Sequence, residues 1–372
     1  MAAITEAAIR ELASIKGERA PITSCYLDVD GRRLARHKDL EREVDILLRG
    51  ARSRADGDPS VSADLKRIEA YVHNDLDRSR VRGVAIFSCS ADGLWHVVEL
   101  AVPVRNRLVL NETPAIGQLE SVLQENEPIG VLMADRQRAR MFVFELGELV
   151  ERSELFEEVP RETDTRGTRD RRGDHPEILE AHTQQHLRNA AQVAFAVWSQ
   201  HPFAHLAIAA PDDLAGQLEA DLHPYLRKRL CGRLSVPVTA DHAEVLAAAQ
   251  RVESQVQRER EAEVVDRLRA AVSTGRKGVA GLADTVEALG DHRVDTLVVS
   301  LGFSAPGWRC RGCSRLAAIG RRCRKCGAEM VEVEDLVEDA IEEALTQSCR
   351  VEICVGNADL DVMGRAGALL RY

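Results

Sequence analysis

The chain has 372 residues, of which 45 % are hydrophobic and 30 % are charged, and its formal net charge is −10. This composition excludes an intrinsically disordered chain, and the length indicates two or three domains, of which we expect three. No uncharged run approaches the ~18 residues of a membrane span, and charged residues interrupt the apolar N-terminal positions, so we expect no signal peptide and a cytoplasmic protein.

The first segment, residues 1–125, predicts an α+β domain. A strand over 22–30 follows a short helix, and two further strands over 81–89 and 94–104 are joined by a Ser-Ala-Asp-Gly turn. Between them, apolar residues recur with the i, i+4, i+7 spacing of two amphipathic helices. These apolar positions are Leu40, Val44, Leu47, Leu48 and Ala51 in the first helix, and Leu65, Ile68, Val72 and Leu76 in the second.

The second segment, residues 126–240, predicts an α/β domain. It opens with alternating strands whose turns at Gln137–Arg138 and Gly147–Glu148 indicate an antiparallel meander. Residues 161–175 then break all periodicity, as expected of a long charged loop with isolated glycines. A helix, a buried strand over 205–211 and another helix complete the segment.

The third segment, residues 241–372, begins with a long helix. Asp241 is a candidate N-cap, and the apolar stripe continues for about thirty residues to a stop at Gly275. Helices and strands then alternate to the C-terminus, which predicts an α/β layer. A cysteine-rich stretch at about 306–330 separates one strand from the next, and we interpret it as an insertion in that layer.

Four cysteines of this insertion, Cys310, Cys313, Cys323 and Cys326, form two C-x2-C pairs. Each pair presents two thiolates from one tight turn, and two pairs supply the corners of a tetrahedral Zn²⁺ site. Because no position is left open for water, the pattern predicts one structural zinc ion per chain. Reduced thiol pairs or a redox motif are the alternatives. The remaining cysteines are expected to be small buried hydrophobes: Cys25, Cys89, Cys231, Cys349 and Cys354.

Positive charge is concentrated around these cysteines. The stretch from Trp308 to Gly327 contains no acid and seven basic residues: Arg309, Arg311, Arg315, Arg321, Arg322, Arg324 and Lys325. An acidic chain repels nucleic acid at long range, so any contact with RNA must be local. A local basic patch predicts contact with RNA phosphates at these positions. The alternative interpretation is a solvated patch that faces the acidic helix predicted at 334–343.

Several arrangements that would indicate catalysis are incomplete. His182 and His186 are one helical turn apart, but the glutamate of a metalloprotease H-E-x-x-H motif is missing. Asp135 ends a predicted strand without a partner carboxylate, so we expect it to be a turn residue. No phosphate-binding glycine loop and no G-x-S-x-G nucleophile motif occurs. The sequence therefore indicates a binding protein rather than an enzyme.

The order of the segments resembles the archaeal and eukaryotic class 1 peptide release factors and their relative Pelota, and specifically the bacterial branch of that superfamily. Residues 129–156 resemble the opening hairpin of the family's RNase H-like middle domain, and 187–198 with 205–222 resemble its next helix and strand. The C-terminal 364–372 resembles the glycine loop and strand that close an L7Ae-like last domain. Archaeal members carry a cysteine zinc module within that domain, which implies a zinc ribbon here.

The resemblance fails at the residues on which release depends. Active release factors carry Gly-Gly-Gln in the loop that corresponds to 161–175, near Thr168-Arg169-Asp170, and this loop contains no glutamine. We therefore expect no peptidyl-tRNA hydrolysis. Arginines of the loop are suited to RNA phosphates, although its aspartates favour a solvated loop as the alternative. These arginines are Arg166, Arg169, Arg171 and Arg172.

Codon reading is not expected either, because the residues 52–60 replace the Asn-Ile-Lys-Ser turn of stop-codon readers. The resemblance thus implies a non-catalytic factor that binds the ribosomal A site in hibernation or stalled-ribosome handling. It also implies a translational GTPase as partner, and neither a membrane nor a small-molecule substrate. The alternatives are a peptidyl-tRNA or RNA hydrolase with an atypical active loop, and a zinc-ribbon protein-interaction module.

Overall fold

The computed structural model describes residues 5–34, 36–55, 57–79, 81–156 and 175–372. The chain forms two compact units: Met1–Gln124 together with Arg258–Tyr372, and Glu125–Gln257. The first and third predicted segments are thus grouped in one unit, and the division into three domains stays a prediction. Among the described residues, no helix has both the length and the apolar character that crossing a bilayer requires.

The first unit begins with an antiparallel four-stranded sheet in the order β3-β2-β1-β4. Its helices α2 and α3 bury the predicted apolar stripes, including Leu40, Val44, Leu65 and Ile68, against β1 and β2. The strands are β1 (Ile22–Asp28), β2 (Gly83–Cys89), β3 (Leu94–Leu100) and β4 (Arg107–Asn111), and the helices are α1 (Glu6–Ala13), α2 (His37–Arg54), α3 (Pro59–Asn74) and α4 (Gly117–Glu125).

The second unit is a five-stranded mixed sheet in the order β7-β6-β5-β8-β9. As the sequence predicts, β5, β6 and β7 form an antiparallel meander, and β8 and β9 then add parallel to β5. Its elements are β5 (Ile129–Ala134), β6 (Arg138–Glu145), β7 (Glu148–Phe156), α5 (His175–Gln200), β8 (His205–Ala209), α6 (Asp212–Asp221), α7 (Pro224–Arg227) and β9 (Leu230–Arg233).

Both faces of this sheet are covered, since every residue of β5 is buried. Leu132 and Ala134 face a core shared with α5 and α6, whereas Val131 and Met133 face a second core. The next helix, α8 (His242–Ser273), supplies Val245 and Ala249 to that second core.

The predicted long helix is confirmed in its start, length and end. The carboxylate of Asp241 accepts the N–H of Glu244 at 2.8 Å, and the carboxylate of Glu244 accepts the N–H of Asp241 at 3.3 Å. This reciprocal pair is a capping box. The helix has 32 residues and stops just before Gly275, whose φ of 63° suits a left-handed C-terminal position.

The C-terminal part of the first unit is a mixed sheet in the order β10-β16-β11-β15, with β15 parallel and β16 antiparallel to β11. A separate three-stranded sheet, in the order β13-β12-β14, carries the cysteines and lies between β11 and α10 in the chain. The elements are β10 (Gly278–Ala280), α9 (Leu282–Gly290), β11 (Val294–Ser300), β12 (Gly307–Cys310), β13 (Leu316–Ala317), β14 (Met330–Val333), α10 (Leu336–Thr346), β15 (Arg350–Cys354), α11 (Ala358–Val362) and β16 (Ala366–Leu370).

Candidate metal centre and basic surface

The four predicted ligands are brought together at one end of the small sheet. Their sulfur atoms all lie within 4.8 Å of one another. The Sγ atoms of Cys310 and Cys326 are 3.4 Å apart, and that of Cys313 is 3.6 Å from both Cys323 and Cys326. In the part of the chain that the structure describes, this is the only group of three or more His, Cys, Asp or Glu side chains placed to share one metal ion.

The sulfur positions fit a tetrahedral metal site better than any disulfide. Zn–S bonds of about 2.3 Å at tetrahedral angles place sulfurs about 3.8 Å apart, close to the separations seen here. A disulfide requires about 2.05 Å, and all nine cysteines are free thiols. The donor set is therefore four thiols with no weaker ligand among them, which is the composition of a closed structural site.

Backbone N–H groups donate hydrogen bonds to the sulfur atoms of Cys310 and Cys323. The N–H of Gly312 donates to Cys310 Sγ at 3.3 Å. Backbone N–H groups of Cys326 and Lys325 donate to Cys323 and lower the pKa of that thiol to about 6. Gly312 lies in a tightly packed place, because an added Cβ would lie 3.0 Å from the Cβ of Ala328 and 3.4 Å from Cys326 Sγ.

Arg309 belongs to the interior, and this corrects the prediction that it contacts RNA. Its side chain is only 5 % exposed, because β12 directs it toward α10. Its guanidinium lies 3.3 Å from the carboxylate of Asp339 and 3.2 Å from that of Glu342. Burial raises the pKa of both carboxyls, and the Arg309 charge opposes that rise. The arginine is therefore committed to a buried ion cluster.

Arg315 is also engaged within the protein. Its guanidinium lies 2.6 Å from the carboxylate of Asp291 and donates to the carbonyl oxygens of Glu287 and Gly290, each at 3.3 Å. An arginine at these carbonyls caps the C-terminal end of α9 and complements its dipole. The contact fixes the cysteine-bearing sheet to α9, and the Arg315 side chain is 17 % exposed.

The other five basic residues form an exposed group that we call the basic surface: Arg311, Arg321, Arg322, Arg324 and Lys325. Among the described residues, none of the five has a carboxylate within ion-pair distance. The guanidinium of Arg321 lies 5.9 Å from the ring centre of Trp308, a cation–π contact that leaves its charge exposed. The basic surface thus keeps a strong positive charge in an acidic protein.

The acids of α10 do not neutralise the basic surface. Four acids of α10 and its N-cap, Asp335, Glu338, Asp339 and Glu342, are buried. Arg107 of β4 contacts Asp335, and its Nη1 lies 2.7 Å from Glu338. Asn111 of the same strand donates to Asp339 at 3.0 Å. These acids therefore belong to an internal network, and the alternative in which they face the exposed cations does not apply.

The remaining candidate residues fall into two classes. Arg166, Arg169, Arg171 and Arg172 lie outside the described residues. The residues of the incomplete motifs lie within the described part of the chain. Asp135 accepts the N–H groups of Gln137 and Arg138, as expected of a turn residue. His182 is exposed whereas His186 is buried, so the two imidazoles do not share one environment.

Comparison of the sequence with known families gives a match for the middle of the chain. Residues 114–254 match the bacterial archaeo-eukaryotic release factor family 10. This middle part of the chain is thus similar to the release-factor family. The matched residues include β5 to β9 and the start of α8, and so confirm the resemblance in the middle segment. No curated protein sequence matches the chain significantly.

Among solved structures, the archaeal termination factor aRF1 is 17 % identical, with 98 % of this chain and 96 % of the other covered and a TM-score of 0.27. Pelota from Archaeoglobus fulgidus is 18 % identical over 78 % and 79 % of the two chains, at a TM-score of 0.35. Dom34 from S. cerevisiae is 10 % identical, with 78 % of this chain and 81 % of the other covered and a TM-score of 0.40. All three TM-scores are below 0.5, and the similarity to release factors rests on the family match of residues 114–254.

Proposed function

We propose that this release-factor relative is a non-catalytic ribosome-associated factor that binds the ribosomal A site in hibernation or stalled-ribosome handling. The observation that carries the proposal is the basic surface, whose five cations stay exposed and without carboxylate partners in a chain of net charge −10. Ribosomal RNA is the polyanion that a member of this superfamily would meet there. The family match of the middle segment supports the same assignment.

A structural zinc ion is part of the proposal. Cys310, Cys313, Cys323 and Cys326 would hold it, since their sulfur positions and donor type fit a closed tetrahedral site. Zinc would fix both C-x2-C turns and so hold the basic surface in shape. A zinc ion with four thiolates carries a net charge of −2, which leaves the five exposed cations in clear excess.

The absence of catalysis is proposed from the sequence of the loop 161–175. It contains no Gly-Gly-Gln, and its four arginines, Arg166, Arg169, Arg171 and Arg172, are proposed to contact RNA phosphates. A translational GTPase is the proposed partner. Two similar proteins have partners of their own: Dom34 interacts with Hbs1, and an archaeal Pelota is bound to the ribosome together with ABCE1.

Cosedimentation with ribosomes at stepped salt tests the proposal. The purified chain should pellet with ribosomes at low salt and leave them as salt rises, because phosphate contacts release counterions. Failure to pellet at low salt would refute ribosome binding. Release of labelled peptide from stalled ribosomal complexes by the purified chain would instead show that the factor is catalytic.

A further inference from the structure

A groove of about 390 Å³ lies between α9 and the cysteine-bearing sheet, next to the basic surface. The helix contributes Val286 and Glu287 to its lining, and the sheet contributes Leu316, Ile319 and Met330. Ile319 is 84 % exposed, which is unusual for an aliphatic side chain of this size. Ile319 thus adds an accessible apolar surface at the groove, which a planar apolar ring could cover.

Arg315 lines the same groove. Its Nε and Cζ atoms lie close to Gly290, since a Cβ added there would lie 2.8 Å from Nε and 3.0 Å from Cζ. Asp291 and two carbonyl oxygens fix its orientation and offset its charge. A planar guanidinium of fixed orientation is a stacking surface for an aromatic ring.

Polar groups of both charges line the groove. Glu287 places an exposed carboxylate in the lining, where it can accept hydrogen bonds from amino groups. Arg322, Arg324 and Lys325 line the same groove and belong to the basic surface. A ligand that fits has a planar ring with hydrogen-bond donors on its edge, and an anionic group outside the groove.

We propose that this groove binds one unpaired nucleotide of an RNA strand. Its base lies between Arg315 and the aliphatic wall at Ile319, with its edge toward Glu287 and its phosphates on Arg322, Arg324 and Lys325. Single-stranded RNA is recognised in this way, by ring stacking and by contacts to base edges. The inference rests on the proposed RNA contact of the basic surface and adds a base-binding site to it. An acidic peptide would also satisfy the cations, and its backbone N–H groups could bind Glu287, but an aromatic base is the group that would stack on the guanidinium of Arg315.

Two single-stranded RNA probes of equal length, one with bases and one fully abasic, test this proposal with the zinc-loaded full-length chain. The wild type should bind the base-containing probe roughly tenfold more tightly, because one stacked base is at stake. Ile319→Ser combined with Glu287→Gln should remove that preference and leave binding of the abasic probe almost unchanged. Both side chains are exposed, so thermal unfolding and zinc content should match the wild type.

A second variant separates this inference from the proposed function. Arg322→Gln, Arg324→Gln and Lys325→Gln together should weaken both probes by a similar factor, since the phosphates are common to both. Equal wild-type affinity for the two probes overturns the base site but leaves RNA binding intact. No binding of either probe overturns both. Binding of an acidic leucine-containing peptide in place of RNA, lost in the Ile319→Ser variant, would identify the groove as a protein-binding site and overturn the inference.

Discussion

Replacing Arg309 by alanine tests whether this arginine belongs to the interior rather than to the RNA-binding surface. The change removes the cation that lies against Asp339 and Glu342, which are 0 % and 2 % exposed in their side chains. Removing one partner of a buried ion cluster leaves an uncompensated charge. We expect it to lower the free energy of unfolding by about 3–5 kcal/mol. At roughly 2–4 °C per kcal/mol, the unfolding midpoint should fall on the order of 10 °C.

The loss should depend on pH. Burial raises the pKa of Asp339 and Glu342, and without Arg309 their folded-state pKa values rise further. A carboxyl whose folded pKa is raised destabilises the fold at pH values above it and ceases to do so once it is protonated. The gap between the variant and the wild type should therefore be largest at neutral pH and narrow in mild acid.

Thermal unfolding followed by circular dichroism measures both effects, with Arg311→Ala as the matched control. Arg311 is exposed two residues away, so its loss should change stability by less than about 0.5 kcal/mol. Changing Arg309→Met, Asp339→Asn and Glu342→Gln together removes the buried charges that face each other at Arg309 and leaves only the half-exposed Glu112 of its partners, so it should recover part of the loss. Equal midpoints for Arg309→Ala and Arg311→Ala would refute the buried cluster.

Metal analysis should return about one zinc per chain, lost in Cys313→Ser and kept in Cys231→Ser; retention of zinc by the first variant would contradict the site. Gly130→Ala should destabilise the second unit by about 1–3 kcal/mol, because the added Cβ would lie 2.8 Å from the ring of Phe203. The control Gly216→Ala has open space in α6 and should be neutral or stabilising. Urea titration of both variants measures this, and equal losses of stability would contradict the close packing at Gly130. Burial raises the pKa of Glu338 from 4.5 to about 7, so stability should fall as pH rises between those values. Glu338→Gln should flatten that part of the pH profile of the unfolding midpoint, and an unchanged slope would contradict it.

Much of the fold follows from local patterns. The apolar stripe of α2, the meander from β5 to β7 and the capping box at Asp241 each depend on residues close in sequence, and all are observed. The cysteine spacing likewise brings four sulfurs together because both pairs sit in short turns. Local spacing therefore suffices where the determining contacts are local.

The roles of individual charges could not be predicted in the same way. Arg309 and Arg311 have the same chemistry and similar neighbours, yet one is buried by acids 30 and 33 residues away in the chain and the other is exposed. The sequence left open that the acids of α10 face the exposed cations. Arg107 of a distant strand instead contacts Asp335 and Glu338, and Arg309 contacts Asp339 and Glu342. Long-range pairing of opposite charges is invisible in sequence spacing, and it decides which cations remain available to a ligand.

We propose above that the basic surface binds ribosomal RNA. The most direct test neutralises its five cations, Arg311, Arg321, Arg322, Arg324 and Lys325, to glutamine and measures ribosome affinity as a function of salt. The control variant makes the same charge change at exposed positions elsewhere: Arg42, Lys66, Arg251, Arg258 and Arg267. The slope of log affinity against log salt should fall by about 3 to 4 in the first variant, from five lost phosphate contacts, and hardly change in the control. Equal slopes and affinities for the two variants would contradict the claim.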